Sequence, residues 1–218
     1  MWVGAGSEGR LDRVKDLHKA LAEITAIRSQ MARGVEFRGY GPATLAATGF
    51  LAFLGAALQS LWLADAAAQI DGFVAIWVAV AAISAILIGI ETVSRSRRIH
   101  SGFADEMLHA AIVQFVPAAV AGFLTTLVLR HFAPQMLAML PGLWQVLFSL
   151  GVFASCHLLP RAIFAAGAWY LLCGLVNLAL AQGALALSPL TMAVPFGFGQ
   201  LLIALILYRS FGERDDAA

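Results

Sequence analysis

Six stretches of the chain are continuously apolar for 20 to 23 residues, over positions 43–63, 72–91, 107–129, 136–158, 161–182 and 187–208. Polar residues gather between them and in the first 42 positions. A helix needs ~20 apolar residues to cross the ~30 Å hydrocarbon core of a bilayer, and each stretch meets that length. Inside lipid every backbone polar group must be satisfied within the protein, which leaves helices or a closed barrel; unbroken apolar runs exclude the alternating strands of a barrel. The pattern predicts an all-α, polytopic integral membrane bundle of six transmembrane helices. They would form three hairpins with short turns at 64–71, 130–135 and 183–186. The hairpins share no polar spacing, so a repeat of the transporter type is not expected. The predicted division is 1–42 for a cytoplasmic amphipathic helix and hinge, 43–209 for the membrane domain and 210–218 for a short tail.

Residues 10–33 place Val14, Leu17, Leu21, Ile24 and Met31 on a 3.5-residue rhythm with charges elsewhere. That rhythm suits an amphipathic helix lying on headgroups, docked on a protein, or paired with a second copy. Asp12, Asp16 and Glu23 weaken the lipid alternative, and Arg28 at a seam position weakens self-pairing. The following GVEFRGYGP breaks the helix. Within it Pro42 suits the start of the first span, and Arg38 and Tyr40 are candidate anchors at the membrane interface.

Composition and charge sharpen this picture. Hydrophobic residues make up 61% and charged residues 12% of the 218, against roughly 25% charge in a soluble domain. With a mean hydropathy of +0.83, a soluble globular fold and disorder are both excluded. A net charge of +1 gives no footprint for nucleic acid. Of the Lys and Arg residues, only Arg130 falls on the side of the three short turns. Positive charge marks the cytoplasmic side, so both termini are expected in the cytoplasm and the location in the cell inner membrane. The excess of Arg over Lys and the abundant Ala point to a GC-rich bacterial genome. The first apolar run starts only at about residue 43, behind a charged segment, so no cleavable leader is expected. Cys156 and Cys173 lie in apolar runs and read as packing residues.

Ionisable groups within a bilayer are costly, by ~2.5–3.5 kcal/mol on insertion scales. The deep interior of the six stretches holds none, which argues against an ion pump, a proton relay or a voltage sensor. Near one boundary, however, Glu91, Glu106, His109, Cys156 and His157 share a depth. Glu106 and His109 have the Glu-x-x-His spacing of carboxylate metal sites, and His109 with His157 could serve a haem or a metal ion. His109, His157 and Glu106 are therefore the candidate metal ligands, although the pattern singles out no particular cofactor and a structural polar cluster explains the same residues. Five amides, Gln59, Gln114, Gln145, Asn177 and Gln200, are spread over five spans. Gln114, Gln200 and Asn177 are candidates for a substrate path, while interhelical hydrogen bonding accounts for all five equally well. Pro195 in VPFGFGQ removes a donor from the last span and frees the Thr191 carbonyl. A kink and a replacement partner are expected there. Gly49, Gly55, Ala118, Gly122, Gly167 and Gly174 would let helices approach closely.

The sequence contains no Walker loop, His-Glu-x-x-His, nucleophile elbow, Cys-x-x-Cys or Asp-rich run, so the sequence leans away from an enzyme. The leading expectation is a non-enzymatic sensing, assembly or regulatory bundle that binds a cytoplasmic protein through residues 10–33. Its alternative is a small oligomeric transporter or facilitator of a neutral solute. A haem- or metal-binding redox protein comes third. The bilayer is the expected partner in every case, and a homo-oligomer fits the transporter best.

Overall fold

The computed structural model describes residues 41–98, 102–156, 160–183 and 185–215, without the side chains of 95–98, 102–114 and 211–215. The chain divides into two units, Met1–Glu36 and Phe37–Ala218, and all described residues belong to the second. The amphipathic helix expected over residues 10–33, with Arg38 and Tyr40, lies outside the described residues.

Among the described residues the fold is entirely helical. Helix α1 is Pro42–Trp62, α2 Ile70–Arg98 and α3 Gly102–Phe132. A 3-10 turn, Pro134–Met139, leads into α4, Leu140–Ser155, and α5 is Ile163–Ala179. The last apolar stretch is divided into α6 (Leu190–Ala193), a π-helical turn (Val194–Phe198) and α7 (Gly199–Asp215). Pro42 opens α1, where its missing donor costs nothing. Pro117 sits inside α3, which continues through it.

Five stretches are helical, long and apolar enough to cross a membrane: Pro42–Trp62, Ile70–Ser94, Phe115–Phe132, Pro134–Ser155 and Leu190–Ser210. The remaining expected span, 161–182, forms the 17-residue α5. It is shorter than the apolar run because both ends are taken up by turns, with Ile163 N–H on the Pro160 carbonyl and Gly183 N–H on that of Leu180.

Close approach of backbones sets the packing. The most extensive contact joins α4 and α5, and α1 runs beside both α2 and α7. Between α4 and α5 two glycines face each other. A methyl group on Gly174 would stand 2.9 Å from the Gly142 carbonyl oxygen and 2.8 Å from Val146 Cγ2, and one on Gly142 would stand 2.7 Å from the Gly174 carbonyl oxygen. Without a hydrophobic drive between helices in lipid, such van der Waals contact supplies much of the association. Around it Leu45, Val152, Ile163, Tyr170, Ala204 and Leu207 form one core cluster. Ala52, Ala56, Phe73, Trp77, Leu187, Met192 and Ala193 form another.

Helices α2 and α3 are held differently. Phe73 and Trp77, near the start of α2, are buried, and the Phe73 ring stacks on Trp144 of α4 with centroids 6.5 Å apart. Further along, Ile83, Ile86, Leu87, Ile90 and Val93 are all exposed. Only 6% of the Phe115–Phe132 stretch is buried, against 44% of Pro134–Ser155. Among the described residues two polar ties reach α3. Trp144 Nε1 donates to Thr126 Oγ1 at 2.9 Å, and the Arg130 guanidinium makes a two-pronged ion pair with Asp71 at the start of α2.

The α4–α5 contact yields a direct expectation. Gly174→Val would drive a branched side chain into the Gly142 carbonyl, and overpacking of this kind costs about 1–3 kcal/mol. A lowered midpoint of thermal unfolding in detergent checks it, with the open position Gly89, which has no atom within 4 Å of an added methyl, as the control whose Ala variant stays unchanged.

Candidate functional site

The broken start of the last span is where the polar side chains converge. Pro195 cannot donate to the Thr191 carbonyl, and that oxygen instead receives Gln145 Nε2 at 2.7 Å and Asn177 Nδ2 at 3.0 Å. Asn177 Nδ2 also donates to Gln145 Oε1 at 2.8 Å, which closes a triangle between α4, α5 and the last span. The replacement partner expected from the sequence is therefore present twice.

The same device operates four residues to either side. The Leu187 carbonyl accepts Gln59 Nε2 of α1 at 2.7 Å, and Gln59 Oε1 in turn accepts Trp77 Nε1 of α2 at 2.8 Å. The Pro195 carbonyl accepts Trp169 Nε1 of α5 at 3.1 Å. Leu187, in the turn before α6, Thr191 in α6 and Pro195 in the π-turn follow at intervals of four. Each carbonyl of this row takes a side-chain donor from another helix. Gln59 and Gln145 are both fully buried at 1% and 0% exposure, and a buried amide in that setting must be hydrogen-bonded to be tolerated.

Beyond Pro195 the chain winds as a π-turn instead of the simple kink expected. Gly197 and Gly199 within and after it carry no side chains where α1 and α5 come closest. A methyl on Gly199 would meet the Tyr170 hydroxyl at 2.5 Å, and one on Gly49 would meet the Gly197 carbonyl at 2.9 Å. The Tyr170 ring is wholly buried against Phe148 and Phe196. Its hydroxyl and Gln200 Oε1 are the two buried side-chain polar atoms without a hydrogen-bond partner among the described residues.

Of the candidates read from the sequence, Asn177 lies in the carbonyl row and Gln200 just beyond the π-turn. The side chains of Gln114, Glu106 and His109, and the whole of His157, lie outside the described residues. Glu91 is half-buried, and the Cys156 thiol donates to the Val152 carbonyl of its own helix at 3.3 Å. Among the described residues no three His, Cys, Asp or Glu side chains come together. Sequence reasoning passed over Trp77, Trp169 and Tyr170. Their signal was available, because an indole N–H or phenol O–H deep in an apolar run needs a polar partner.

A scan against family models, a search of curated proteins and a search of solved structures each found no match.

The triangle can be tested by removing its donors. The double variant Gln145→Leu/Asn177→Leu leaves the Thr191 carbonyl unpaired inside the bundle and is expected to cost about 1–3 kcal/mol. Either single variant leaves one donor and should cost nearer ~0.6 kcal/mol, the average for interhelical hydrogen bonds in membranes. Thermal unfolding of the three variants in one detergent gives the comparison.

Proposed function

We propose that the chain is a non-enzymatic, multi-pass protein of a bacterial inner membrane, with a sensing, assembly or regulatory role exercised through a cytoplasmic helix over residues 10–33. In this reading α5 also crosses the bilayer, tilting little because ~17 residues is the lower limit for a span, and both termini are cytoplasmic. The observation that carries it is the use made of the amides within the bundle. Gln59, Gln145 and Asn177 all bond to backbone carbonyls of the last span, which is the work of a scaffold. The charged N-terminal segment then supplies the chemistry for a protein partner.

The test replaces Leu17 and Leu21, one at a time, by a photo-crosslinking residue in cells. One recurrent protein adduct at both positions is expected, and a chain lacking residues 1–36 should fail to rescue the deletion phenotype. No recurrent protein adduct at either position, or full rescue by the truncated chain, would end this reading.

A second reading, a small oligomeric facilitator of a neutral solute, is favoured by one feature, the unpaired Gln200 Oε1 beside a helix break. Vesicles holding the purified protein would then swell faster in glycerol than empty vesicles, and Gln200→Leu together with Gln114→Leu would abolish the difference. Equal swelling with and without protein in glycerol, urea and other small neutral solutes would count against it.

A further inference from the structure

The level of the π-turn holds two buried polar atoms without a partner among the described residues. Tyr170 and Gln200 sit near the middle of their apolar stretches, so they fall close to the bilayer midplane, the depth at which an unsatisfied polar group costs most. Tyr170 is 0% and Gln200 8% exposed, and the phenol oxygen and Gln200 Oε1 both lack a partner among the described residues. The two belong to one layer. The Tyr170 hydroxyl lies against the backbone of Gly199 and Gln200 is the next residue, its Cβ facing Gly49 of α1.

Their chemistry is complementary. The phenol offers a donor and an acceptor, and the amide oxygen offers acceptor capacity only. A buried water is retained where two or more polar groups converge on it, and such waters commonly make about three hydrogen bonds. π-turns gather at functional positions in helices, and this one brings the Gly199 backbone against the Tyr170 hydroxyl.

We propose that Tyr170 and Gln200 form a midplane binding site for one small neutral hydrogen-bonding molecule, namely water, which accepts from the Tyr170 hydroxyl and donates to Gln200 Oε1. The site is independent of the docking role argued above, since it lies within the helical bundle and involves none of residues 10–33. It differs also from the carbonyl row, whose donors and acceptors already satisfy one another.

The experiment is water-edited solid-state NMR on the full chain in lipid bilayers, reading transfer of water magnetisation to the Gln200 side-chain amide. Tyr170→Phe is the test variant, because it keeps the ring packed on Phe148 and Phe196 and removes only the hydroxyl. Strong early transfer in the natural chain, lost in Tyr170→Phe while the rest of the spectrum is retained, is the expected result. Three outcomes overturn the proposal. No transfer in either chain means a dry site. No transfer, with the Gln200 amide shifted by Tyr170→Phe, means a direct bond between the two side chains. Equal transfer in both chains means that water reaches Gln200 without Tyr170. Should Tyr170→Phe not fold, Gln200→Leu read at the labelled Tyr170 ring makes the reciprocal measurement with the same four outcomes.

Discussion

A carbonyl that loses its N–H inside hydrocarbon has no water to turn to, and the arrangement of the bundle follows from that constraint at Thr191. Pro195 removes the donor, and each unsatisfied polar group shut away from water costs several kcal/mol. The replacement must come from a side chain long enough to cross between helices and carrying N–H groups. Gln145 and Asn177 fulfil this only if α4 and α5 both lie against the last span. The glycine pair Gly142 and Gly174 brings those two helices close enough for one carbonyl to serve both amides. Gln59 and Trp169 extend the same solution one row up and one row down.

From that centre the molecule grades outward. Helices α1, α4, α5 and the last span are tied by side-chain to backbone bonds and by glycine contacts. Helix α2 meets the others through Phe73, Trp77 and Val80, and α3 packs on α4 from Phe115 through Gly122 to Thr126, with Arg130 paired to Asp71. Much of the remaining apolar surface of both helices is exposed, Ile83, Ile86, Ile90, Phe123 and Leu127 among it, and lipid is the solvent such faces suit. Surface ion pairs such as Asp71 with Arg130, both more than two-fifths exposed, contribute little to stability. They fix the direction of a helix end more than they hold it.

The apolar runs made the helices and most of their bounds legible, because length and hydrophobicity are properties of single segments. The break at Pro195 was legible too, down to the Thr191 carbonyl, since a missing N–H has the same consequence wherever proline stands. Which side chain would answer was not, for that depends on which helices are neighbours. Gln59 and Gln145 could be read as interhelical donors of some kind, yet nothing local ties Gln59 to Leu187, 128 positions away. The π-turn escaped for a related reason. A proline predicts the loss of a bond, whereas whether the chain then kinks or winds wider is decided by Phe53, Tyr170 and Gly49 packing on Gly197 and Gly199. The shortness of α5 was hidden because turns at its ends are as apolar as the helix.

The carbonyl row also bears on what the last span can do. Straightening it would carry the Leu187, Thr191 and Pro195 oxygens away from four donors on three other helices, and two of those donors, Gln59 and Gln145, are fully buried. Bonds made in this way favour one conformation over all others, since a half-satisfied polar network is worse than none. For this break to move as the discontinuous helices of carriers do, all of those bonds would have to exchange partners. Only beyond it, at Tyr170 and Gln200, does the bundle keep polar capacity that its own side chains do not consume. The division between used and unused polar groups thus falls within a single helix, on either side of the π-turn.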